Sequence, residues 1–502
     1  MSYLLALFSS YFDVQIVLTF LTVFLLSSYG LKHRQRLPPG PWSLPVVGNF
    51  LGLVFKIFST GDEPEYQLAK LARRHGEVFT LRVGSKVIVI ANGYKAIKEA
   101  FQNPLIADRP ESLLLQETSL QEGVVFASGK SWKYQRSFML NTFRNFGVGR
   151  SRFEGNIQVE AQTLVSVLDE NNGKPYNPRV IIGNCVSNVI SAVVFGKRYH
   201  HSDPEFQNFM YLVNSVATKM GSGGAVLFFP ILRYIFPKLF GEVVSGLQEF
   251  TNFVDKKVKE HQAIIDDSSV NDFINVFLKE IKTTRNEKSD RGAFLHIKSL
   301  SATSVILFAA GIETSATTLR WALLYMMAHP EIQSKIQQEI DTVVGRNRMP
   351  QWSDRLQLPY TEAVLLEIQR IRTVTPLGVP HVASRDTKLG EYDIPAGAIV
   401  FSNVWAVHND PDVWLEPDQF KPERFLDDQG KLRQREELIP FSIGQRVCPG
   451  ENLAKMEMFL FFTYILHSFT IKKPSGEKCS LKGIGGITFG PTDYDIIVET
   501  RE

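Results

Sequence analysis

Phe441-Ser442-Ile443-Gly444-Gln445-Arg446-Val447-Cys448-Pro449-Gly450 sets one of the chain's three cysteines among two glycines, a proline and an arginine. An apolar run, Leu453 to Phe469, follows with helical spacing. Glycines on both sides let the backbone take conformations barred to other residues and lie close against a flat object. A helix starting just after Cys448 would aim free N–H groups and the positive end of its dipole at the sulfur. That environment lowers a thiol pKa and favours thiolate, the form that ligates metal. Taken alone, the stretch reads either as a single-thiolate metal site or as a buried structural cysteine in a loop.

The chain of 502 residues is long enough to bury a large core, and 44% hydrophobic with 21% charged residues is an ordinary globular balance. A net charge of +3 gives no reason to invoke nucleic acid. Cys185, Cys448 and Cys479 make an odd count without a CxxC pair, so neither a disulfide framework nor a zinc cluster is supported. The body of the protein is therefore expected in a reducing compartment.

Val14 to Leu31 carries no charge and, as a helix, would span about 27 Å, close to the hydrocarbon thickness of a bilayer. Lys32, His33, Arg34 and Arg36 follow at once and place the remainder on the cytoplasmic side. Asp13 precedes the run where a cleaved signal peptide would carry basic residues, so an uncleaved anchor is the better fit. The organisation expected is an anchor over 1–31, a basic and proline-rich connector over 32–49 (Pro38-Pro39-Gly40-Pro41, Pro45, Gly48-Asn49), and one body over 50–502.

Val78 to Ala91 reads as a hairpin about a Gly84-Ser85 turn. Helical patterns then dominate: Tyr94–Phe101, Lys130–Phe143, Arg152–Asn171, Ile181–Phe195, Leu247–Ile265, a long one from His296 past Tyr325, Pro330–Val344 and Thr361–Ile371. Short strands return between His381 and Val407, with turns at Lys388–Gly390 and Pro395–Gly397. The fold class is mainly α with minor β. Gly123 to Ser131 has one residue too many between its glycines for a phosphate loop, and no GxGxxG, HExxH or serine elbow occurs. Redox chemistry here would draw its electrons from another protein.

Ala310-Gly311-Ile312-Glu313-Thr314 interrupts the longest apolar helix. A mid-helix glycine costs about 1 kcal/mol against alanine, and an acid in such a run is costlier unless paired or hydrated. Gly311 could make room for a ligand, Thr314 could pass a proton, and Glu313 could supply one. A satisfied polar spot in a buried helix is the plain alternative. Glu367-x-x-Arg370 and Trp132-x-x-x-Arg136 each share one helix face, which in isolation is a common surface or core-edge pattern.

In order along the chain, Pro38-Pro39-Gly40-Pro41, Trp132-x-x-x-Arg136, Ala310-Gly311-x-Glu313-Thr314, Glu367-x-x-Arg370, Pro422-Glu423-Arg424-Phe425 and Phe441-x-x-Gly444-x-Arg446-x-Cys448-x-Gly450 resemble the cytochrome P450 family. The resemblance covers essentially the whole chain. Leu140 to Gly147 and Thr317 to Met326 are similar to microsomal family two, most of all its J subfamily and close relatives.

The resemblance implies a single large P450 fold enclosing haem b behind an N-terminal transmembrane helix, with 50–502 as the haem-thiolate domain. Cys448 would be the axial ligand of the haem iron, and Phe441, Gly444 and Gly450 would shape the loop beneath the macrocycle. Arg446, Trp132, Arg136, Arg109 and His381 would hold the haem propionates. Thr314 and Glu313 would deliver protons on the distal side, with Gly311 making room. Glu367, Arg370 and Arg424 would form a buried ionic triad under the cysteine loop.

The reaction implied is monooxygenation, hydroxylating or epoxidising polyunsaturated fatty acids such as arachidonate as well as xenobiotics. Electrons would come from NADPH through cytochrome P450 reductase, with cytochrome b5 as a second donor, at the endoplasmic reticulum membrane. Lys133 and Arg144 are candidate basic contacts for the reductase. The family's recognition segments map onto Leu113–Leu115, Val124–Phe126, Phe308–Ala310, Thr375–Val379 and Ile487, with Leu114, Val125, Phe126, Phe308, Ala310, Thr375, Leu377, Val379 and Ile487 as candidate substrate contacts. Nearly all are apolar, so a small lipophilic substrate is expected, held by shape. A haem-thiolate isomerase working without reductase and a haem-binding sensor or carrier are the rival classes.

Overall fold

The computed structural model describes residues 36–44, 48–49, 63–84, 86–228, 232–264, 272–284, 291–476, 479–486 and 488–502, and isolated positions among 15–23 and at 52. Most of the expected anchor, Val14 to Leu31, and the candidate contact Ile487 lie outside the described residues. The chain divides into two compact units, 1–107 with 379–402, and 108–378 with 403–502.

The smaller unit holds the β structure. Strand β1 (Val78–Val83) pairs antiparallel with β2 (Lys86–Ala91) in the register Val78 to Ala91 through Val83 to Lys86. That leaves two residues for the turn, and Gly84 takes the left-handed φ of 60° that a tight hairpin demands. The sheet continues in the order β1-β2-β6-β3 with β6 (Ile399–Ser402) parallel to β2 and β3 (His381–Val382) on the edge, while β4 (Thr387–Leu389) and β5 (Tyr392–Ile394) form a separate hairpin. Helices α1 (Pro64–His75) and α2 (Tyr94–Gln102) belong to this unit.

The proline-rich connector is docked here. Thr80 donates to the Pro39 carbonyl at 2.7 Å and Asn49 to the Arg82 carbonyl at 2.6 Å. A Cβ on Gly40 would sit 2.0 Å from the Thr80 carbonyl oxygen, so only glycine allows that approach.

The larger unit is helical. Its longer helices are α3 (Gly129–Phe146), α4 (Ser151–Glu170), α5 (Arg179–Val194), α6 (Pro204–Phe228), α7 (Pro237–Ile264), α8 (Phe273–Thr284), α9 (Ile297–Ala328), α10 (Pro330–Val343), α11 (Pro359–Ile371) and α12 (Glu451–Ser468). Helix α9 is the axis. Almost every residue from Ser299 to Ile306 and from Ser315 to Met327 is buried, and it packs on α4's neighbour α5, on α7, on α11 and on α12. It is long and apolar enough to cross a bilayer, yet its surface is spent inside the protein. A capping box starts it: Ser299 N donates to His296 Nδ1 at 3.2 Å and His296 N to Ser299 Oγ at 3.0 Å.

The expected helices are present, with ends shifted by at most three residues except at α7, which begins ten residues before Leu247. Helices α1, α6 and α8 were not anticipated. The proline-led starts of α1 and α6, at Pro64 and Pro204, carry a signal that favours the first helical turn.

Candidate functional site

In the loop before α12, Ser442 (φ 63°) and Gly444 (φ 80°) both take left-handed backbone, and Cys448 N closes the turn on the Phe441 carbonyl at 2.9 Å. Strain of this kind persists only where the surroundings over-determine it. Helix α12 begins at Glu451 with Gly450 as its cap, and the Gly450 and Glu451 N–H groups hydrogen-bond to the sulfur. They pull the thiol down, as does the nearby Arg136 charge, but burial is the largest influence and pushes Cys448 above its ordinary value. The expected depression of the thiol is therefore corrected. The dipole and N–H groups act in that direction and desolvation outweighs them. Cys448 nonetheless presents open surface, so the sulfur is walled in by protein without being packed against it.

Three guanidinium groups converge nearby. Arg446 donates to the carbonyls of Ala127 (2.7 Å), Val125 (3.2 Å) and Val124 (3.4 Å), and its guanidinium lies 3.9 Å above the Trp132 ring. Arg109 Nε shares the Val125 carbonyl at 3.1 Å, and Arg136 donates to the Val447 carbonyl at 2.6 Å. Burial first, then the charge of Arg109, pushes Arg446 down to about 8; burial and then Arg136 push Arg109 down to about 9. The Trp132 indole N–H is buried with no hydrogen-bond partner among the described residues. Cations that repel one another in a desolvated setting, beside an orphaned donor, are complementary to a bound anion. His381 lies in the smaller unit, where its Nδ1 meets the Ile106 carbonyl at 2.7 Å and its ring stacks on Phe101 at 3.8 Å.

On α9, Thr314 Oγ1 donates to the Ala310 carbonyl at 2.7 Å. Glu313 Oε1 accepts from Thr317 at 3.3 Å and Thr488 at 3.1 Å. Ala309 and Ala310 are exposed between the two buried stretches of this helix, so that part faces open space. A Cβ on Gly311 would meet Ile190 Cδ1 at 2.8 Å. Its missing side chain therefore admits α5, and the room expected there for a ligand is taken by Ile190. Phe308 has no exposed surface and packs against Phe195 and Phe209, with ring centroids 4.6 Å and 5.0 Å away. Leu114 is buried, Val125, Phe126, Thr375 and Leu377 are half-buried, and Val379 is exposed.

Glu367 and Arg370 on α11 are both fully buried. Arg370 holds the carboxylate through Nε (2.7 Å) and Nη2 (2.8 Å), and Arg424 Nε reaches it at 3.0 Å. Arg370 also donates to the His408 carbonyl at 2.7 Å. Sequence reasoning missed His408, which is fully buried between Thr373 Oγ1 (2.7 Å) and the Ile439 N–H, which donates to His408 Nε2 at 2.9 Å. Burial and the Arg370 charge push His408 down to about 3, so it is a neutral strut. Ser442 N bonds to the Ile439 carbonyl, so the strut ends at the cysteine loop. Glu457 was missed too, although an acid set inside the apolar run of α12 was a visible signal. It is buried beside Ser315, and desolvation raises it to about 8.

The Cytochrome P450 family model matches residues 38–498. Among curated proteins, the chain is 38% identical to cytochrome P450 2J2 of Homo sapiens over 94% of this chain and 93% of that one. It is 37% identical to cytochrome P450 2J5 of Mus musculus (97% and 95%) and 36% identical to cytochrome P450 2U1 of Bos taurus (93% and 90%). The chain belongs to the cytochrome P450 family, whose cofactor is haem b.

Proposed function

We propose that this chain is a membrane-anchored monooxygenase that places one atom of dioxygen into lipophilic substrates. It would hydroxylate or epoxidise polyunsaturated fatty acids such as arachidonate, and xenobiotics, with electrons from NADPH through a reductase. The observation that carries the reading is the pairing of a walled-in but uncovered Cys448 sulfur with the Arg109, Arg136 and Arg446 cluster and the orphaned Trp132 N–H. This donor set fits haem b: a thiol that would hold the iron as its thiolate, and cationic donors that would meet two propionates.

Bound haem supplies the activation of dioxygen and its insertion into the substrate. Cys448 would hold the iron, Gly444 and the Phe441 carbonyl would fix the loop around it, and the arginines with Trp132 would orient the propionates. The side chains around Phe308 exclude water behind α9, and Ala309 and Ala310 leave an apolar floor for a substrate positioned by shape. Thr314 holds a hydroxyl proton on the Ala310 carbonyl, from which it can rotate to donate elsewhere, and Glu313 is the adjacent acid that can resupply it. An intact acid–alcohol pair favours oxygenation over the reductase-free isomerase.

Residues 1–31 form the anchor in this reading, 32–49 the connector and 50–502 the catalytic domain, on the cytoplasmic side of the endoplasmic reticulum membrane. Lys133 and Arg144, both exposed on α3, are the contacts offered to the reductase or cytochrome b5. Deleting residues 2–31 tests the anchor: membrane association weakens while haem binding persists. The function itself is tested by reconstitution with reductase and NADPH and mass-spectrometric profiling of a fatty-acid panel. Oxygenated products are expected, and none from any lipophilic substrate would overturn the proposal.

A further inference from the structure

Glu313, Thr317, Arg320 and Trp321 fall at i, i+4, i+7 and i+8 on α9, one stripe of the helix. Three of these four, Glu313, Arg320 and Trp321, bind the C-terminal segment between Thr488 and Tyr494. Trp321 Nε1 donates to the Phe489 carbonyl at 3.0 Å and stacks on its ring at 5.8 Å. Arg320 donates to the Pro491 carbonyl at 3.3 Å and to Asp493 at 3.0 Å, and the Tyr494 hydroxyl returns to the Arg320 carbonyl at 2.5 Å. Phe489 N is tied to the Val374 carbonyl at 2.8 Å. The short strands β7 (Gly483–Ile484) and β8 (Gly490–Pro491) make this segment a hairpin, and a Cβ on Gly483 would strike the Phe489 ring at 2.1 Å. The hairpin is thus fixed to the helix on both sides of Thr488. The Thr488 hydroxyl, itself buried, ends at Glu313 Oε1 at 3.1 Å.

Glu313 Oε1 takes one hydroxyl donor, Thr317, from this stripe and the other, Thr488, from the hairpin. Thr314 points its own hydroxyl to the Ala310 carbonyl, and no hydrogen bond joins it to Glu313. The acid and the alcohol are neighbours in sequence but are held apart by different partners.

We propose that Thr488 is a positioning residue: a hydroxyl latch, carried on the C-terminal hairpin, that sets the orientation of the Glu313 carboxyl group relative to Thr314. Glu313 reaches toward Thr314 by exchanging its Thr488 bond, and Thr317 on the same helix follows it. The segment beyond residue 483 thereby takes part in the timing of proton delivery, although it is remote in sequence from Glu313 and Thr314. The inference rests on the proton-delivery reading of Glu313 and Thr314.

The test uses full-length holoenzyme carrying Thr488→Val, Thr488→Ala or Thr488→Ser. The first readout is the infrared C–O stretch of the reduced carbon-monoxide complex, which senses the field on the distal side. The second is the ratio of peroxide to product during turnover with reductase. Valine and alanine are expected to shift or split the C–O band and to change the ratio about fivefold, the size of one lost neutral hydrogen bond. Serine, which keeps the hydroxyl, retains the native band and ratio, a rescue that a purely structural role for the hairpin does not require. Alanine removes the hydroxyl without added bulk, so the test stands even where valine fails to bind haem. A native band and native ratio in the alanine variant overturn the latch. Glu313→Gln separates the two readings: if it leaves the ratio native, proton delivery by Glu313 fails, while a band shift in Thr488→Ala still supports the latch.

Discussion

Replacing Arg370 by methionine removes a planar cation from a site with no access to water. Glu367 then keeps Arg424 and the Lys421 N–H, each at 3.0 Å, but loses both Arg370 bonds. Leaving a buried charge without its partner costs about 3–5 kcal/mol, and the His408 carbonyl, no longer met by Arg370, adds about 1 kcal/mol or more. A loss of about 5 kcal/mol is a third to all of the stability of an ordinary domain. Arg424→Ala is the internal comparison. It leaves the two-point Arg370 clasp on Glu367 intact, and its other acceptors, the carbonyls of Leu415, Glu416 and Gln419, lie near solvent, so about 1–2 kcal/mol is expected. The double variant Glu367→Leu with Arg370→Met should recover about 2 kcal/mol relative to Arg370→Met, because the stranded carboxylate goes with its partner. Urea midpoints followed by tryptophan fluorescence give the order, and the yield of haem-loaded protein shows whether the His408 strut transmits the damage to the cysteine loop. Equal midpoints for Arg370→Met and Arg424→Ala, or strictly additive losses in the double variant, would refute the reasoning.

Three further outcomes are expected. Thr314→Ala raises peroxide release relative to product, measured by peroxide assay during NADPH turnover, and unchanged coupling would remove the threonine from the proton path. Glu457, raised to about 8 by burial, binds a proton in the folded state where the unfolded carboxyl has released it. Its contribution to stability therefore falls by about 1.4 kcal/mol per pH unit as pH rises from 4.5 to 8, then levels off. Glu457→Gln, which stays neutral, should match the native protein near pH 4.5 and exceed its thermal midpoint at pH 8, and parallel pH profiles would contradict this. Replacing both Arg109 and Arg446 by leucine relieves their mutual repulsion, so the protein without haem becomes no less stable in urea while haem affinity falls; unchanged haem retention would show that the cluster is not there for an anion.

The hairpin at Gly84 and most of the long helices were legible because local chemistry decides them: a two-residue turn with glycine, and apolar spacing sustained over several turns. The start of α7 was not: Leu239, Phe240, Val243 and Val244 continue the apolar spacing back toward Pro237, but Gly241 and Gly246 weaken the helix-forming signal among them. Within the site, Cys448, Arg446 and the Glu367–Arg370 pair were legible as types and spacings. What they do to one another was not. The thiol is pushed up, because the burial of a residue depends on segments hundreds of positions away. Gly311 illustrates the same limit: its value in sequence looked like space for a ligand, and the structure fills that space with Ile190. Thr488 follows the candidate contact Ile487, but its role was not legible, since only tertiary packing brings its hydroxyl to Glu313.

Replacing Cys448 by alanine and recording the reduced carbon-monoxide difference spectrum decides whether Cys448 supplies the thiolate that would hold the haem iron. The Soret band at the thiolate position is expected to disappear while the triad keeps the protein folded; a band surviving at that position would assign the ligand to another group.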